Sequence, residues 1–179
     1  MNHKILISTE KLKETVACLA QRVNTAYSNT ENVMALIILE GARYFAGHLL
    51  DQLTFPIDTE YLKASSYFGT TQSCGVVNLE TTTDLQQKIR GKNILVIDDI
   101  YDTGRTLSNL LKWINNCNPQ SVKTCVLLKK EIPHDETITI NFLGMTVPDV
   151  FVIGYGMDFD GQYRDLPFIA ELASERIEE

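Results

Sequence analysis

Three carboxylates and a threonine–glycine turn lie close together in residues 94–107, which read ILVIDDIYDTGRTL. Asp98 and Asp99 are adjacent, and Asp102 follows three residues later. Carboxylates can accept hydrogen bonds from sugar hydroxyls and attract Mg²⁺. A glycine-containing turn at the start of a helix offers free backbone N–H groups to a phosphate. The stretch is therefore typical of a site for a phosphate ester.

The elements on either side of these residues would place them at a ligand-binding edge. Residues 94–97 are all apolar and predict a buried parallel strand. Apolar residues at 107, 110, 111 and 114 predict a helix directly after the turn. In open α/β sheets, ligands bind outside the carboxyl ends of the strands. A purely structural alternative is that Asp102 or Thr103 only caps the helix, but that explains one residue of the group.

The rest of the chain alternates between strand and helix patterns, which predicts an α/β fold with a central parallel sheet. Residues 67–83 are polar and rich in Thr, Ser and Gln, which predicts a hairpin-like flap. Pro133, Gly144 and Pro148 suggest a loosely packed region. The predicted helices cover about 9–27, the residues after a turn at Gly41 to about 53, 107–116 and 166–177. The predicted strands cover 33–39, 57–65, 94–97 and 122–128, and one lies within 149–154.

Composition restricts the class of protein. The 179 residues include 16 Lys+Arg and 23 Asp+Glu, so the net charge is −7, which does not favour binding to nucleic acid. No apolar run approaches the length of a membrane span, so no membrane partner is expected. The four cysteines lie far apart without metal-ligand spacing, which suits a reducing cytoplasm.

Residues 95–107 resemble the signature of the type I phosphoribosyltransferases: a strand, two acids, two further residues and then Asp-Thr-Gly-Arg-Thr-Leu. The chain is similar to the 6-oxopurine (hypoxanthine-guanine) branch over roughly residues 5–172. This resemblance implies a central parallel sheet flanked by helices, with a small hood subdomain and a flexible loop. It implies one domain over 1–179, with a core at about 30–130 and a hood formed by the N-terminus and about 131–179.

The activity implied by the resemblance is transfer of a 5-phosphoribosyl group from 5-phosphoribosyl-1-pyrophosphate to a purine base, with Mg²⁺ as cofactor. A homodimer or homotetramer is also implied. An alternative is a regulatory relative that keeps the nucleotide site but binds RNA or DNA; the acidic charge balance favours the enzyme.

Residue roles follow from the same resemblance. Asp102 matches the general base, and Asp98 and Asp99 match an acidic pair that binds the ribose hydroxyls and metal, although the purine branch commonly has Glu at the first position. The 5′-phosphate would lie against Thr103, Gly104, Arg105 and Thr106.

The resemblance also assigns residues around the purine and the pyrophosphate. Lys130 would donate to the purine 6-oxo group, Phe151 would stack on the ring, and Val152 would line its edge. Asp158 belongs to the purine-binding set and would also coordinate a second Mg²⁺ together with pyrophosphate, and Arg164 would contact pyrophosphate. Ser66 and Tyr67 open the segment that matches the flexible catalytic loop.

One loop departs from the pattern of the family. Leu39-Glu40-Gly41 occupies the position of the pyrophosphate loop, which usually reads Leu-Lys-Gly and has a non-proline cis peptide between its first two residues. Glu40 would repel pyrophosphate unless it points away or meets Mg²⁺ or an arginine. Arg43 is close enough to compensate, or the two are a solvated surface pair.

Overall fold

The computed structural model describes residues 3–66, 77–79, 81–133 and 138–172. The strands are β1 (Lys4–Ile7), β2 (Val33–Leu39), β3 (Ile57–Ser66), β4 (Val77–Leu79), β5 (Asn93–Tyr101), β6 (Ser121–Lys130), β7 (Phe142–Val147), β8 (Val152–Ile153) and β9 (Ile169–Glu171). The helices are α1 (Thr9–Tyr27), α2 (Arg43–Leu50), α3 (Thr83–Ile89) and α4 (Arg105–Asn116). None of the helices in these ranges is both long and apolar enough to cross a membrane.

The main sheet has six strands in the order β4-β3-β2-β5-β6-β7. The five from β3 to β7 in that order are parallel, and β4 pairs antiparallel with the end of β3. This architecture confirms the predicted α/β fold with a central parallel sheet. Parallel strands place their carboxyl ends at one edge, so the residues that follow β2, β5 and β6 are brought together there.

Helices cover both faces of this sheet because the buried positions of β2 and β5 are apolar, with the exception of Asp98 near the end of β5. Alternate residues of β2, such as Ala35 and Ile37, pack with α1 and α2. Met34 and Leu36 point to the opposite face, where α3 and α4 supply the partners. The N-terminus of α1 is fixed by Ser8, whose hydroxyl accepts a hydrogen bond from the Lys11 N–H.

A second sheet of three strands, in the order β1-β9-β8, is built from both ends of the described chain. β1 pairs antiparallel with β9, and β9 pairs antiparallel with β8. This small sheet includes Val152, one of the residues matched to the purine site.

Two expectations about local structure are wrong, and one helix was missed. Residues 166–172 do not begin a helix: Ile169–Glu171 form β9, whose two flanking strands supply its backbone partners. The region from 133 to 148 is not loosely packed throughout, because β7 joins the main sheet beside β6. Helix α3 was not predicted, although Thr82 caps it by accepting a hydrogen bond from the Leu85 N–H. Residues 173–177 of the expected terminal helix lie outside the described residues.

Candidate active site

The loop after β2 and the acidic end of β5 are in direct contact. A Cβ atom built on Gly41 would lie 1.8 Å from Asp99 Oδ2, so any side chain at residue 41 would displace that carboxylate. The Leu39–Glu40 peptide bond is cis, as the resemblance implied. The predicted pyrophosphate loop and the predicted acidic pair therefore share one edge of the sheet.

Asp98 and Asp99 form a crowded, partly dehydrated acidic pair. The Asp98 side chain is buried, and its Oδ1 accepts the Asp99 N–H at 3.0 Å. Asp99 Oδ1 accepts the Ile100 N–H at 2.9 Å. Burial and the neighbouring negative charge raise the pKa of Asp98. Burial also raises the pKa of Asp99, and the nearby positive charge of Arg164 opposes that shift.

The turn between β5 and α4 has the backbone shape of an anion-binding loop. Gly104 has φ +87°, a left-handed conformation that glycine adopts readily, and it lies directly before the first turn of α4. The Arg105 N–H donates to Thr103 Oγ1 at 3.5 Å, and the Arg105 residue is exposed. Thr106 follows in the first turn of the helix. The N-terminus of α4, whose first N–H groups have no partner within the helix, therefore follows Asp102 and the acidic pair directly in the chain.

Lys130 joins two carboxylates that come from different parts of the chain. Its Nζ lies 3.1 Å from Asp102 Oδ2 and 3.4 Å from Asp149 Oδ1, and its side chain is only 13% exposed. The proximity of Lys130 and Asp102 follows from the parallel pairing of β5 with β6. Asp149 was not among the predicted site residues. Its position depends on β7, which pairs with β6 up to Val147 opposite Lys130.

The purine-site candidates on the C-terminal segment lie beside the small sheet. Phe151 is 37% exposed, and its ring meets Phe159 edge to face, with ring centres 5.4 Å apart. Val152 is buried in β8. An aromatic face that is held by a second ring and remains open to solvent can stack on a flat heterocycle.

Arg164 is fixed by two hydrogen-bonded contacts within the turn that begins at Gly154. Its Nη1 donates to the Gly156 carbonyl at 2.7 Å, and its Nη2 lies 2.7 Å from Asp158 Oδ1. Asp158 Oδ2 accepts the Gly161 N–H at 2.7 Å. A Cβ built on Gly156 would lie 2.2 Å from the Gly41 carbonyl oxygen, so this turn packs directly on the predicted pyrophosphate loop.

Glu40 and Arg43 do not form the compensating pair that was one of the two expectations. Both residues are exposed, and no ion pair joins their side chains among the residues that the structure describes. A backbone hydrogen bond connects the two residues, because the Arg43 N–H donates to the Glu40 carbonyl at 3.2 Å.

The predicted flexible loop falls mostly outside the described residues. Ser66 is the last residue of β3, where its backbone pairs with Val77 of β4, and Tyr67 is not described. The antiparallel pairing of β3 with β4 is that of a hairpin.

The described residues include no group of three or more His, Cys, Asp or Glu side chains arranged around a common point. The acidic pair nevertheless suits Mg²⁺, because that ion commonly uses one or two carboxylates together with waters and substrate phosphates. A divalent cation would also offset the repulsion between Asp98 and Asp99.

Comparison with known proteins places the chain in a family. The model of the phosphoribosyl transferase domain matches residues 4–160. A hypoxanthine-guanine phosphoribosyltransferase of Dictyostelium discoideum is 34% identical over 178 residues, which cover 98% of each chain. The chain therefore belongs to the phosphoribosyltransferase family.

Solved structures agree with this assignment at the level of the fold. A hypoxanthine-guanine phosphoribosyltransferase from Bacillus anthracis superposes with a TM-score of 0.85 at 33% identity, covering 97% of this chain and 100% of that chain. A mutant hypoxanthine phosphoribosyltransferase from Trypanosoma cruzi, in a ternary complex with substrates, gives a TM-score of 0.86 at 30% identity. That match covers 96% of each chain.

Proposed function

We propose that this protein is a hypoxanthine-guanine phosphoribosyltransferase that acts in purine salvage. It would transfer the 5-phosphoribosyl group of 5-phosphoribosyl-1-pyrophosphate to hypoxanthine or guanine, releasing pyrophosphate and forming IMP or GMP. The observation that carries this proposal is the meeting of Asp102 and Lys130, 3.1 Å apart, beside the phosphate turn at Gly104.

The phosphoribosyl half of the substrate would lie across the start of α4. Its 5′-phosphate would accept hydrogen bonds from the backbone N–H groups of residues 103–106 and from the hydroxyls of Thr103 and Thr106. Asp98 and Asp99 would accept the ribose hydroxyl protons, directly or through metal-bound water. These contacts would fix the anomeric carbon between the base and the pyrophosphate.

The pyrophosphate end would lie between Gly41 and Arg164. The planar guanidinium of Arg164 suits phosphate oxygens. Mg²⁺ bound by Asp98 and Asp99, with a second ion at Asp158, would neutralise charge on the leaving pyrophosphate. Both carboxylate oxygens of Asp158 already have partners, so an ion there would share or displace the contact with Arg164.

The chemical step exchanges one bond at the anomeric carbon for another. The bond to the pyrophosphate oxygen breaks, and a bond to a purine imidazole nitrogen forms. The proton of that nitrogen would pass to the Asp102 carboxylate, which Lys130 holds beside the base. Because an ammonium group has three N–H donors, Lys130 can keep a carboxylate partner while donating to the purine 6-oxo group.

The direct test incubates the protein with 5-phosphoribosyl-1-pyrophosphate, Mg²⁺ and hypoxanthine, and follows IMP by chromatography. Asp102→Asn is the matched control, because it keeps the size of the side chain and removes the base. We expect IMP from the wild type and turnover lower by about 10²–10⁴-fold in the variant. Binding of nucleotide without any product would favour the regulatory alternative instead.

We also propose that the chain acts in the cytoplasm as a homodimer or homotetramer. Among the described cysteines, Cys18, Cys117 and Cys125 are free thiols, which supports a reducing compartment. Light scattering of the purified chain tests the oligomer, since a monomer at all concentrations would contradict it.

A further inference from the structure

A hydrogen bond joins the last turn of α2 to the turn that carries the pyrophosphate-side residues. His48 Nδ1 and the Tyr155 hydroxyl lie 2.7 Å apart, and their rings stack with centres 5.5 Å apart at 25°. Tyr155 is 7% exposed, and burial raises its pKa to about 12, so the hydroxyl keeps its proton at neutral pH. It can therefore donate to a neutral imidazole that carries its own proton on Nε2.

Tyr155 occupies a backbone position that needs support. Its φ is +53°, a conformation that side-chain-bearing residues seldom adopt, and it stands between Gly154 at +95° and Gly156 at +105°. The turn is closed by hydrogen bonds between the backbones of Gly154 and Met157. A buried hydroxyl without a partner costs free energy, so His48 stabilises the tyrosine in this position.

The same turn controls the position of Arg164 relative to the loop after β2. Gly156 packs on the Gly41 carbonyl, and its own carbonyl accepts the hydrogen bond from Arg164 Nη1. The Gly156 N–H donates in return to the Arg164 carbonyl at 2.9 Å. Movement of Tyr155 would therefore be passed directly to Gly156 and from there to the guanidinium.

We propose that His48 is a positioning residue for the pyrophosphate half of the site, acting through Tyr155. The pair ties the Gly154–Asp158 turn to α2, the helix that begins immediately after the pyrophosphate loop. It keeps Arg164 and Asp158 at a fixed distance from Gly41 and Asp99. The inference rests on the proposed function, because it takes Arg164 as a contact of pyrophosphate.

The test uses three variants of the pair and one matched control. Tyr155→Phe removes only the hydroxyl, His48→Ala removes its partner, and His48→Asn places an amide group where Nδ1 lies. Tyr44→Phe also removes a tyrosine hydroxyl from the 640 Å³ cavity that His48 and Tyr155 line, but Tyr44 is not part of the hydrogen bond. Steady-state kinetics are measured for each substrate separately, together with the Tm.

We expect Tyr155→Phe and His48→Ala to raise KM for 5-phosphoribosyl-1-pyrophosphate by about fivefold, which corresponds to one hydrogen bond. KM for hypoxanthine should stay within about twofold of wild type, because Lys130, Phe151 and Val152 lie outside the Gly154–Asp158 turn. His48→Asn should recover most of the loss. The double variant should be no worse than either single variant, since both remove the same interaction.

Several results would overturn the proposal. A lower Tm with a proportional loss of kcat and unchanged KM values would show a purely structural contact. An equal rise in KM in His48→Asn and His48→Ala would show that the hydrogen bond to Tyr155 is not the cause of the defect. An equal rise in Tyr44→Phe would show that the effect is not specific to the pair of His48 and Tyr155.

Arg164→Gln separates this proposal from the proposed function. If Arg164→Gln raises KM for 5-phosphoribosyl-1-pyrophosphate and the His48 and Tyr155 variants do not, the positioning role is wrong and the function stands. If Arg164→Gln leaves that KM unchanged, the assignment of Arg164 to pyrophosphate fails, and the positioning role fails with it.

Discussion

At the scale of single residues, the most informative group is Lys130 with its two carboxylates. A lysine at a strand end is usually solvated, but this side chain is largely buried between Asp102 and Asp149. Burial of an ammonium group requires such partners, since an unpaired buried charge is costly. The same pairing keeps Asp102 beside the place where a purine would lie.

The role of Lys130 in reading the purine can be tested by truncation. Lys130→Ala should lower catalytic efficiency with hypoxanthine and reduce the preference for hypoxanthine over adenine. A lysine that donates to the 6-oxo group of hypoxanthine meets another donor, the 6-amino group, when adenine binds instead. Truncation of the lysine removes this penalty against adenine. The measurement is the ratio of kcat/KM for the two bases. An unchanged ratio would mean that Lys130 does not read the 6-position.

Asp149 offers a prediction of its own, because it was found only in the structure. Asp149→Asn should weaken the hold on Lys130 and lower kcat/KM for hypoxanthine by less than Lys130→Ala does, because Asp102 still pairs with the lysine. Asp149→Glu, which keeps the charge, is the control and should lie closer to wild type. A larger defect in Asp149→Asn than in Lys130→Ala would contradict this order.

Glu40 is the residue where the chain departs from its family. Glu40→Lys should tighten pyrophosphate binding, because attraction replaces repulsion at an exposed position, with a gain of about 1 kcal/mol or less after screening. Inhibition constants for pyrophosphate across Mg²⁺ concentrations provide the measurement. Glu40→Gln removes the negative charge without adding a positive one and should tighten binding by less than Glu40→Lys. Weaker binding of pyrophosphate in both variants would contradict repulsion.

At the scale of elements, the site depends on close contact between the ends of β2 and β5. Gly41→Ala introduces a methyl group that would overlap Asp99 Oδ2, so either the loop or the carboxylate must move. We expect a large loss of kcat/KM with a small change in Tm, because the loop lies at the edge of the core. Gly47→Ala, in α2, is the matched control, since its added Cβ meets no atom within 4 Å among those described. Equal activity in both variants would contradict the contact.

Sequence patterns correctly predicted the elements whose own residues are enough to determine whether they form a helix or a strand. β2 is apolar throughout, β5 and β6 each contain a run of buried apolar residues, and α1 begins at a capping serine. β7 was missed because its sequence, FLGMTV, mixes small and polar residues with apolar ones, and it forms through pairing with β6. β9 was taken for a helix for a related reason: three residues are extended only because β1 and β8 flank them.

The residues of the candidate site also fall into those that the sequence indicates and those that only the structure reveals. The signature residues 98–106 are contiguous, so their proximity follows from the chain itself. The contact of Asp149 with Lys130 and the hydrogen bond between His48 and Tyr155 join residues that are far apart in sequence. No local spacing indicates such pairs, because they depend on the order of strands and on the packing of the C-terminal turn.

At the scale of the whole molecule, two sheets bring residues from several parts of the chain to one edge. The main sheet contributes Gly41, Asp98, Asp99, Asp102 and Lys130, and the segments around the small sheet contribute Phe151, Asp158 and Arg164. Under the proposed function, one part of the protein would bind phosphate and ribose while the other would meet the purine and pyrophosphate. The central claim is that the two parts together select a 6-oxopurine as acceptor.

A competition experiment tests that claim most directly. The wild-type protein is incubated with 5-phosphoribosyl-1-pyrophosphate, Mg²⁺ and equal concentrations of hypoxanthine and adenine, and the initial rates of IMP and AMP formation are measured in one mixture. Their ratio equals the ratio of kcat/KM values for the two bases. We expect IMP to exceed AMP by at least about 10²-fold. Comparable amounts of the two nucleotides, or neither nucleotide, would contradict the account.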